Sequence, residues 1–212
     1  TTQLYKPCAD IKLFAGSSNK PLACEIAELL GVSLAALTIK KFKDGEIYVR
    51  IDECVRNRDV YIVQSLSTPV NENLMELLIL LDAFKRASVK SITVVMPYMG
   101  YARQDRKTAG REAITAKLVA DLITTAGALK VLAVDLHTGQ IQGFFNICVD
   151  HLRALPIFIR TVKSLNIDPE KLIVVSPDMG GISRARKFSE ALNCQIGVID
   201  KQRTAHNEAV AN

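Results

Sequence analysis

The run Asp135-Leu136-His137-Thr138-Gly139-Gln140-Ile141-Gln142-Gly143-Phe144-Phe145 holds the side chains best suited to chemistry. A carboxylate and an imidazole two residues apart can together hold a hard metal ion and a phosphate oxygen. The run follows a purely apolar stretch, Val131-Leu132-Ala133-Val134. Such a stretch reads as a buried parallel strand that delivers polar groups to the carboxyl edge of a sheet, where open α/β sheets bind ligands. A strand that simply ends in a solvated histidine reads the same from this segment alone.

Four other segments carry reactive or binding groups. Phe42-Lys43-Asp44-Gly45-Glu46 sets an aromatic ring beside two carboxylates. A ring stacks on a purine, and carboxylates accept from an exocyclic amine. By themselves these residues read better as a hairpin turn at Asp44-Gly45 beside a core phenylalanine. Arg103, Arg106, Lys107 and Arg111 put four cations within nine residues, after the turn residues Pro97 and Gly100. Guanidinium groups grip phosphates in fixed geometry, although most charged runs are solvated loops. Val174-Val175-Ser176-Pro177-Asp178-Met179-Gly180-Gly181 is a strand closed by a carboxylate and paired glycines. Glycines let backbone N–H groups approach a diphosphate at a helix N-terminus, and they equally serve a tight strand-to-helix turn. Lys201-Gln202-Arg203 follows the last strand-like run and has almost no specificity of its own. Neither the G-x-x-x-x-G-K-[ST] loop nor G-x-G-x-x-G occurs.

The elements that must position these groups alternate. Strand-like runs at Ile11-Ala15, Leu34-Ile39, Val60-Val63, Ile92-Met96 and Val131-Val134 come first, and Leu172-Val175 and Ile196-Ile199 follow. Helical periodicity places Leu22, Ile26, Leu29 and Leu30 on one face, closed by Gly31. It does the same for Leu74, Leu77, Leu78 and Leu81, and for Ile114, Leu118 and Leu122 up to Gly127. A further helix is expected from about Gly181 to Leu192. Strands alternating with helices predict an α/β fold with doubly wound parallel sheets. A boundary near Arg153-Pro156 leaves five strands before it and two after, so we expect a domain over 1–153 and an incomplete one over 154–212. The strand-then-aspartate endings at Asp135 and Asp178 hint that the two halves are related.

With 212 residues, 49% hydrophobic and 23% charged, the chain can bury a sizeable core. Its net charge of +5 is interleaved with acids, which favours small anionic ligands over nucleic acid. Five scattered cysteines without a Cys-x-x-Cys suit reduced thiols and a cytoplasmic location. The longest apolar block, near Leu77-Leu81, ends at Asp82, too soon to span a bilayer, so no membrane role is expected. No signal peptide is visible at Thr1, and a start other than Met is read as trimming or processing.

Taken in order along the chain, Phe-x-Asp-Gly-Glu at 42–46, Tyr-Ala-Arg-Gln-Asp-Arg-Lys at 101–107, Asp-Leu-His-x-x-Gln-Ile-Gln-Gly-Phe-Phe at 135–145, Val-Ser-Pro-Asp-x-Gly-Gly at 175–181 and Lys-x-Arg at 201–203 closely resemble the ribose-phosphate diphosphokinase (phosphoribosyl pyrophosphate synthetase) family, phosphate-activated class. The 135–145 run is the most specific of these. The resemblance implies two phosphoribosyltransferase-like domains and transfer of the β,γ-diphosphoryl group of Mg-ATP to the C1 hydroxyl of ribose 5-phosphate, giving AMP. It implies that Phe42 stacks on adenine and that Asp44 and Glu46 contact the base from a neighbouring subunit of a homo-oligomer. It implies that Arg103, Gln104 and Asp105 hold ATP, and that His137 sits at the Mg-ATP phosphates. Asp178 and His137 would serve the Mg2+ site. The turn Asp178-Met179-Gly180-Gly181 would bind diphosphate, and Lys201 and Arg203, with His137, would act in catalysis. Phosphate and ADP are the implied regulators, with Arg56, Lys107 and Arg111 matching an allosteric phosphate site.

Two departures stand out. Cys54 and Gly110 occupy positions where the family has Ser. The family's Asp-Asp-x-x-x-Thr-x-Gly-Thr loop, which grips the sugar 5-phosphate, is not in the sequence, so residues 1–212 are expected to bind ATP without completing the transfer. The alternative reading is a non-catalytic, synthetase-like regulatory or assembly subunit. A phosphoribosyltransferase shares the fold, and the missing acidic loop counts against it equally.

Overall fold

The computed structural model describes residues 11–199, together with the backbone of 201–205 and 208–211. The chain divides into two compact units, Thr1–Leu152 and Arg153–Asn212. The first contains β1 (Ile11–Ala15), α1 (Lys20–Leu30), β2 (Leu37–Lys41), β3 (Ile47–Ile51), β4 (Asp59–Val63), α2 (Val70–Arg86), β5 (Ser91–Met96), α3 (Thr115–Ala126), β6 (Lys130–Val134) and β7 (Cys148–Leu152).

Five of these strands form a parallel sheet in the order β1-β4-β5-β6-β7. Leu13 pairs with Tyr61 of β4 and also forms a parallel bridge to Leu34, which therefore lies on the outer side of β1. The chain thus crosses from β1 through α1 to that outer edge, then reverses and steps through β4, β5, β6 and β7. The reversal divides the helices between the two faces. Alternate side chains of one strand point to opposite faces, so Leu13 packs with Ala23, Ala27 and Val63 on the α1 side. Phe14 joins Ile62, Leu77, Leu81, Val94, Val119 and Ile123 on the side of α2 and α3. The rings of Phe14 and Phe84 lie 4.6 Å apart between centroids. The expected doubly wound α/β fold is present, with its switch point between the carboxyl ends of β1 and β4.

The strand expected over Leu34-Ile39 does not join the sheet beyond the Leu34 bridge. Its second half is β2, which pairs antiparallel with β3 in a separate hairpin. The fifth sheet strand is β7 instead, and its sequence, Cys148-Val149-Asp150-His151-Leu152, has no apolar run. An edge strand has a neighbour on one side only, so its burial is partial and the hydrophobic signal weak.

The three helices of the first unit lie where expected, but two of them bury a different face. α1 starts at Asn19, whose side chain accepts from the Leu22 N–H, and ends at Gly31 in the left-handed conformation, φ 66. Its buried residues are Ala23 and Ala27, while Leu29 is 84% exposed. α3 buries Ala116, Val119, Ala120 and Ile123 and leaves Leu118 55% exposed. Small residues let a helix axis approach the sheet closely, which rotates the larger leucines of the same helix outward. α2 buries Leu77 and Leu81 as its periodicity predicts, along with Leu80 and Phe84. None of the described helices is long and apolar enough to cross a membrane.

The second unit contains α4 (Leu155–Ser164), β8 (Ile173–Ser176), α5 (Ile182–Leu192), β9 (Gln195–Val198), β10 (Lys201–Ala205) and β11 (Glu208–Ala211). β8 and β9 pair in parallel, and β10 and β11 form an antiparallel pair. α5 buries Ala185, Ser189 and Leu192. The described cysteines Cys24, Cys54, Cys148 and Cys194 are all free thiols.

Candidate functional site

The chemistry-bearing segments of the first unit extend from the carboxyl ends of neighbouring strands. β6 ends at Val134, and Asp135 then turns the chain with a positive φ of 43. That conformation is uncommon outside glycine, and aspartate is among the residues that tolerate it. Leu136 is 4% exposed and packs in the main core, while Asp135 and His137 on either side of it are exposed. Two backbone donors tie the turn to β7: the Asp135 N–H donates to the Leu152 carbonyl at 3.0 Å and the Leu136 N–H donates to His151 Nε2 at 2.9 Å. A 3-10 helix, 139–144, follows, anchored by buried Ile141 and Phe145. An apolar strand delivering Asp135 and His137 to the carboxyl edge is what the sequence predicted.

β5 delivers the basic loop to the same edge. Gly100 fits because a Cβ there would lie 2.8 Å from the Leu66 carbonyl oxygen. Ala102 is buried; Arg103 and Gln104 are exposed. The Gln104 side-chain carbonyl accepts from the Thr115 hydroxyl at 2.5 Å, which ties it to the start of α3. Asp105 is half-buried and turns toward the β6 loop. Its Oδ2 accepts from the Thr138 hydroxyl at 2.7 Å and lies 3.5 Å from Gln140 Nε2. The structure therefore brings 103–105 together with 137–140. Beyond it, Glu112 closes the loop by accepting from the backbone N–H groups of Thr108 and Ala109 and from the Thr108 hydroxyl, at 2.7 to 2.9 Å. Arg106, Lys107 and Arg111 stay exposed around that turn. Arg56 is also exposed, but it precedes β4, in a segment whose Asn57 N–H meets Ser88 just before β5. It therefore belongs to the amino edge of the sheet, and one copy of the unit does not unite Arg56 with Lys107 and Arg111.

Phe42, Asp44 and Glu46 lie on the connection between β2 and β3. The Phe42 N–H donates to the Glu46 carbonyl at 2.8 Å, the Asp44 carboxylate accepts from the Glu46 N–H at 3.1 Å, and Gly45 has φ 95. The hairpin turn is real, but Phe42 is not a core residue. It is 55% exposed, edge-on to Tyr48 at 6.0 Å, beside a shallow depression lined by Thr38, Lys40, Lys41 and Arg50. An exposed ring among cations suits a planar anionic ligand. Lys41 pairs with Glu72 of α2.

The sequence reading missed a buried polar network at the switch point between β1 and β4. Glu76 of α2 is buried and accepts from the Ser17 N–H at 2.7 Å, the Ser17 hydroxyl at 2.5 Å and Gln64 Nε2 at 3.0 Å. Gln64, fully buried, accepts from the Ser18 hydroxyl at 2.8 Å and donates to the Asn73 carbonyl at 3.2 Å. The signal available was Gly16-Ser17-Ser18-Asn19 between a strand and a helix. These groups satisfy one another and brace the β1–α1 turn against α2.

In the second unit, Asp178 opens the turn after β8. Its Oδ1 accepts from the Gly181 N–H at 2.9 Å, and the Ser176 hydroxyl donates to its backbone carbonyl at 2.8 Å. A Cβ on Gly181 would come 2.6 Å from the Ser176 hydroxyl oxygen, so a larger residue there would displace that hydroxyl from its bond to the Asp178 carbonyl. Met179 and Gly180 are exposed beside it. Lys201 and Arg203 lie on β10, and their side chains fall outside the described residues. Among the described residues, no three His, Cys, Asp or Glu side chains cluster to hold a metal ion.

Comparison with known proteins places this geometry in context. The family model for the N-terminal domain of ribose phosphate pyrophosphokinase matches residues 11–127. A ribose-phosphate pyrophosphokinase of Fusobacterium nucleatum subsp. nucleatum is 57% identical over 198 residues, covering 93% of this chain and 63% of the relative. That of Thermotoga maritima is 55% identical, covering 94% and 64%. The crystal structure of phosphoribosylpyrophosphate synthetase from Mycobacterium smegmatis superposes with a TM-score of 0.85 at 45% identity, over 95% of this chain and 67% of that one. The chain thus spans less than two thirds of these two curated relatives.

Proposed function

Because the chain belongs to the ribose-phosphate pyrophosphokinase family, we propose that its first unit binds Mg-ATP and that the whole protein transfers the diphosphoryl group of ATP to the C1 hydroxyl of ribose 5-phosphate. The observation that carries the reading is the joining of the Arg103–Asp105 and His137–Gln140 segments at the carboxyl ends of adjacent strands, through Asp105 and Thr138. Diphosphoryl transfer asks a protein for in-line positioning and neutralisation of charge rather than for a nucleophile. Arg103 offers a fixed fork of donors to phosphate oxygens, and His137 a ring nitrogen at the same edge. Phe42 offers a face to the adenine, and Asp44 and Glu46 offer acceptors to its amine.

Mg2+ bound with the nucleotide would neutralise charge on the phosphates. Asp178 is proposed to supply a carboxylate, and the exposed Met179-Gly180 stretch of the Asp178–Gly181 turn to supply backbone donors for diphosphate, the Gly181 N–H being held by Asp178. His137, a nitrogen donor, suits a phosphate oxygen better than a hard cation. Lys201 and Arg203 are proposed to meet charge that develops during transfer. The exposed cations Lys107 and Arg111, with Arg56, are proposed to take the regulatory anions phosphate and ADP between copies of the chain in a cytoplasmic homo-oligomer.

The test for residues 1–212 is calorimetric titration with Mg-ATP and, in parallel, with Mg-GTP. Saturable binding that favours ATP supports the reading; no heat from either nucleotide contradicts it. For the whole protein, AMP should form from ATP only when ribose 5-phosphate is present. AMP or ADP released equally without the sugar would mean a different phosphoryl chemistry.

A further inference from the structure

We infer that His151 is a positioning residue for the loop that presents His137. The inference rests on the proposed role of His137 toward nucleotide phosphate. The loop has two anchors. One is the Leu136 side chain, buried in the core between exposed Asp135 and exposed His137. The other is β7, which receives two consecutive backbone donors. The first, from Asp135 to the Leu152 carbonyl, is an ordinary ladder bond past the Val134–Leu152 pair. The second is different: the Leu136 N–H is received by a side chain, His151 Nε2, at 2.9 Å.

That bond fixes both the chemistry and the geometry of the turn. A ring nitrogen accepts a hydrogen bond only when it carries no proton, so this contact requires an unprotonated Nε2. Asp135 holds a left-handed φ of 43, and the next N–H is swung out of the ladder's line. No backbone carbonyl of β7 takes that donor. The imidazole, reaching from the position beside Ala133 in the register, does so instead. This bond is part-buried, and a backbone donor deprived of its partner there must find another, so losing the imidazole acceptor shifts the turn. His137 is the next residue along and moves with it. Arg103 is carried by the β5 loop, which meets the β6 loop only beyond this turn, at the Asp105–Thr138 bond, so a shift at Leu136 changes the spacing between the two proposed phosphate contacts.

The position calls for an acceptor at the far end of a short planar side chain. His151→Gln places Oε1 close to the Nε2 position; His151→Leu keeps the bulk and removes the acceptor. The experiment compares wild type, both variants and His137→Ala by Mg-ATP titration calorimetry. Each protein's melting temperature is measured, and the ring nitrogens of His151 are observed by two-dimensional 15N NMR. His151→Leu should weaken Mg-ATP binding by about tenfold or more, as loss of a supporting residue behind a binding group does. His151→Gln should stay near wild type, and the wild-type spectrum should show an unprotonated Nε2. Equal ATP affinity in wild type and His151→Leu overturns the inference, as does a His151→Gln variant as weak as His151→Leu, or a protonated Nε2 at neutral pH. Should His151→Leu not fold, the glutamine variant and the NMR tautomer still decide. If the wild type itself binds no Mg-ATP, the nucleotide reading fails, and the tautomer together with the Leu136 amide shift in the glutamine variant tests the positioning on its own.

Discussion

The Thr138 hydroxyl donates to the Asp105 carboxylate at 2.7 Å across 33 residues of sequence, joining the loop after β5 to the loop after β6. Neither residue needs to touch a ligand for this bond to matter. Arg103 is two residues before Asp105, and His137 is one before Thr138, so the bond ties together the two loops that carry them. A hydrogen bond to a charged acceptor is stronger than a neutral one, though partial exposure reduces it here.

Breaking this bond should therefore show as coupling. In a double-mutant cycle with Asp105→Ala and Thr138→Val, the interaction energy for thermal or urea unfolding should be about 1 kcal/mol, within the range for residues in contact. The Mg-ATP affinities of the two single variants and the double variant should be similar to each other and lower than wild type. Additive effects on both measurements would show that the two loops are independent.

Glu76 should behave as a structural carboxylate. Its acceptors meet two donors from Ser17 and one from Gln64 in a buried setting. Glu76→Ala leaves those donors unsatisfied and should cost roughly 3 kcal/mol or more of unfolding free energy, by the penalties for stranded buried polar groups. Glu76→Gln keeps one acceptor but points an amide N–H2 toward other donors, and should cost about 1–3 kcal/mol. Urea unfolding measures both. A Glu76→Ala variant as stable as wild type would mean that the network is dispensable.

The acid side of the stability profile should be steepened by surface carboxylates with lowered pKa. Lys12 beside Glu53, aided by the Ala36 N–H, holds that carboxyl below its ordinary value. The Ser91 hydroxyl, with Lys90, does the same for Asp59. A carboxylate whose folded pKa is depressed contributes stability that is complete above its unfolded pKa, near 4, and that is lost as pH falls through the folded value. Melting temperature should thus be level near neutrality and fall below about pH 4.5, with a shallower fall in Glu53→Gln. Identical acid slopes for wild type and variant would remove Glu53 from this account.

Most of the sheet was legible because β1, β4, β5 and β6 are apolar runs buried on two faces. β7 was not, since an edge strand needs no such run and Cys148-Val149-Asp150-His151-Leu152 has none. With β7 unread, the role of His151 could not be seen: the imidazole meets Leu136 only because the strand lies beside β6. The helical leucines misled for a related reason. Periodicity identifies a stripe, but it does not say which of two neighbouring stripes faces the sheet, and the small residues Ala23, Ala27, Ala116 and Ala120 won that place. The position of Asp135 and His137 at the carboxyl edge was legible because they follow the apolar strand β6 directly. The Gln64–Glu76 network was not, because its bonds join residues 9 to 59 positions apart and only the fold brings them together.

The central claim, that Arg103 and His137 take the phosphates of one nucleotide while Phe42 takes its base, is tested most directly by Mg-ATP titration calorimetry of wild type and three single variants. Phe42→Ala should weaken binding by about 1–3 kcal/mol, the worth of a stacked base. Arg103→Ala and His137→Ala should each weaken it by about 1.5–3 kcal/mol, the range for hydrogen bonds to charged groups. All three variants should keep the wild-type melting temperature, since the three side chains are exposed. Wild-type affinity in both Arg103→Ala and His137→Ala would contradict the account.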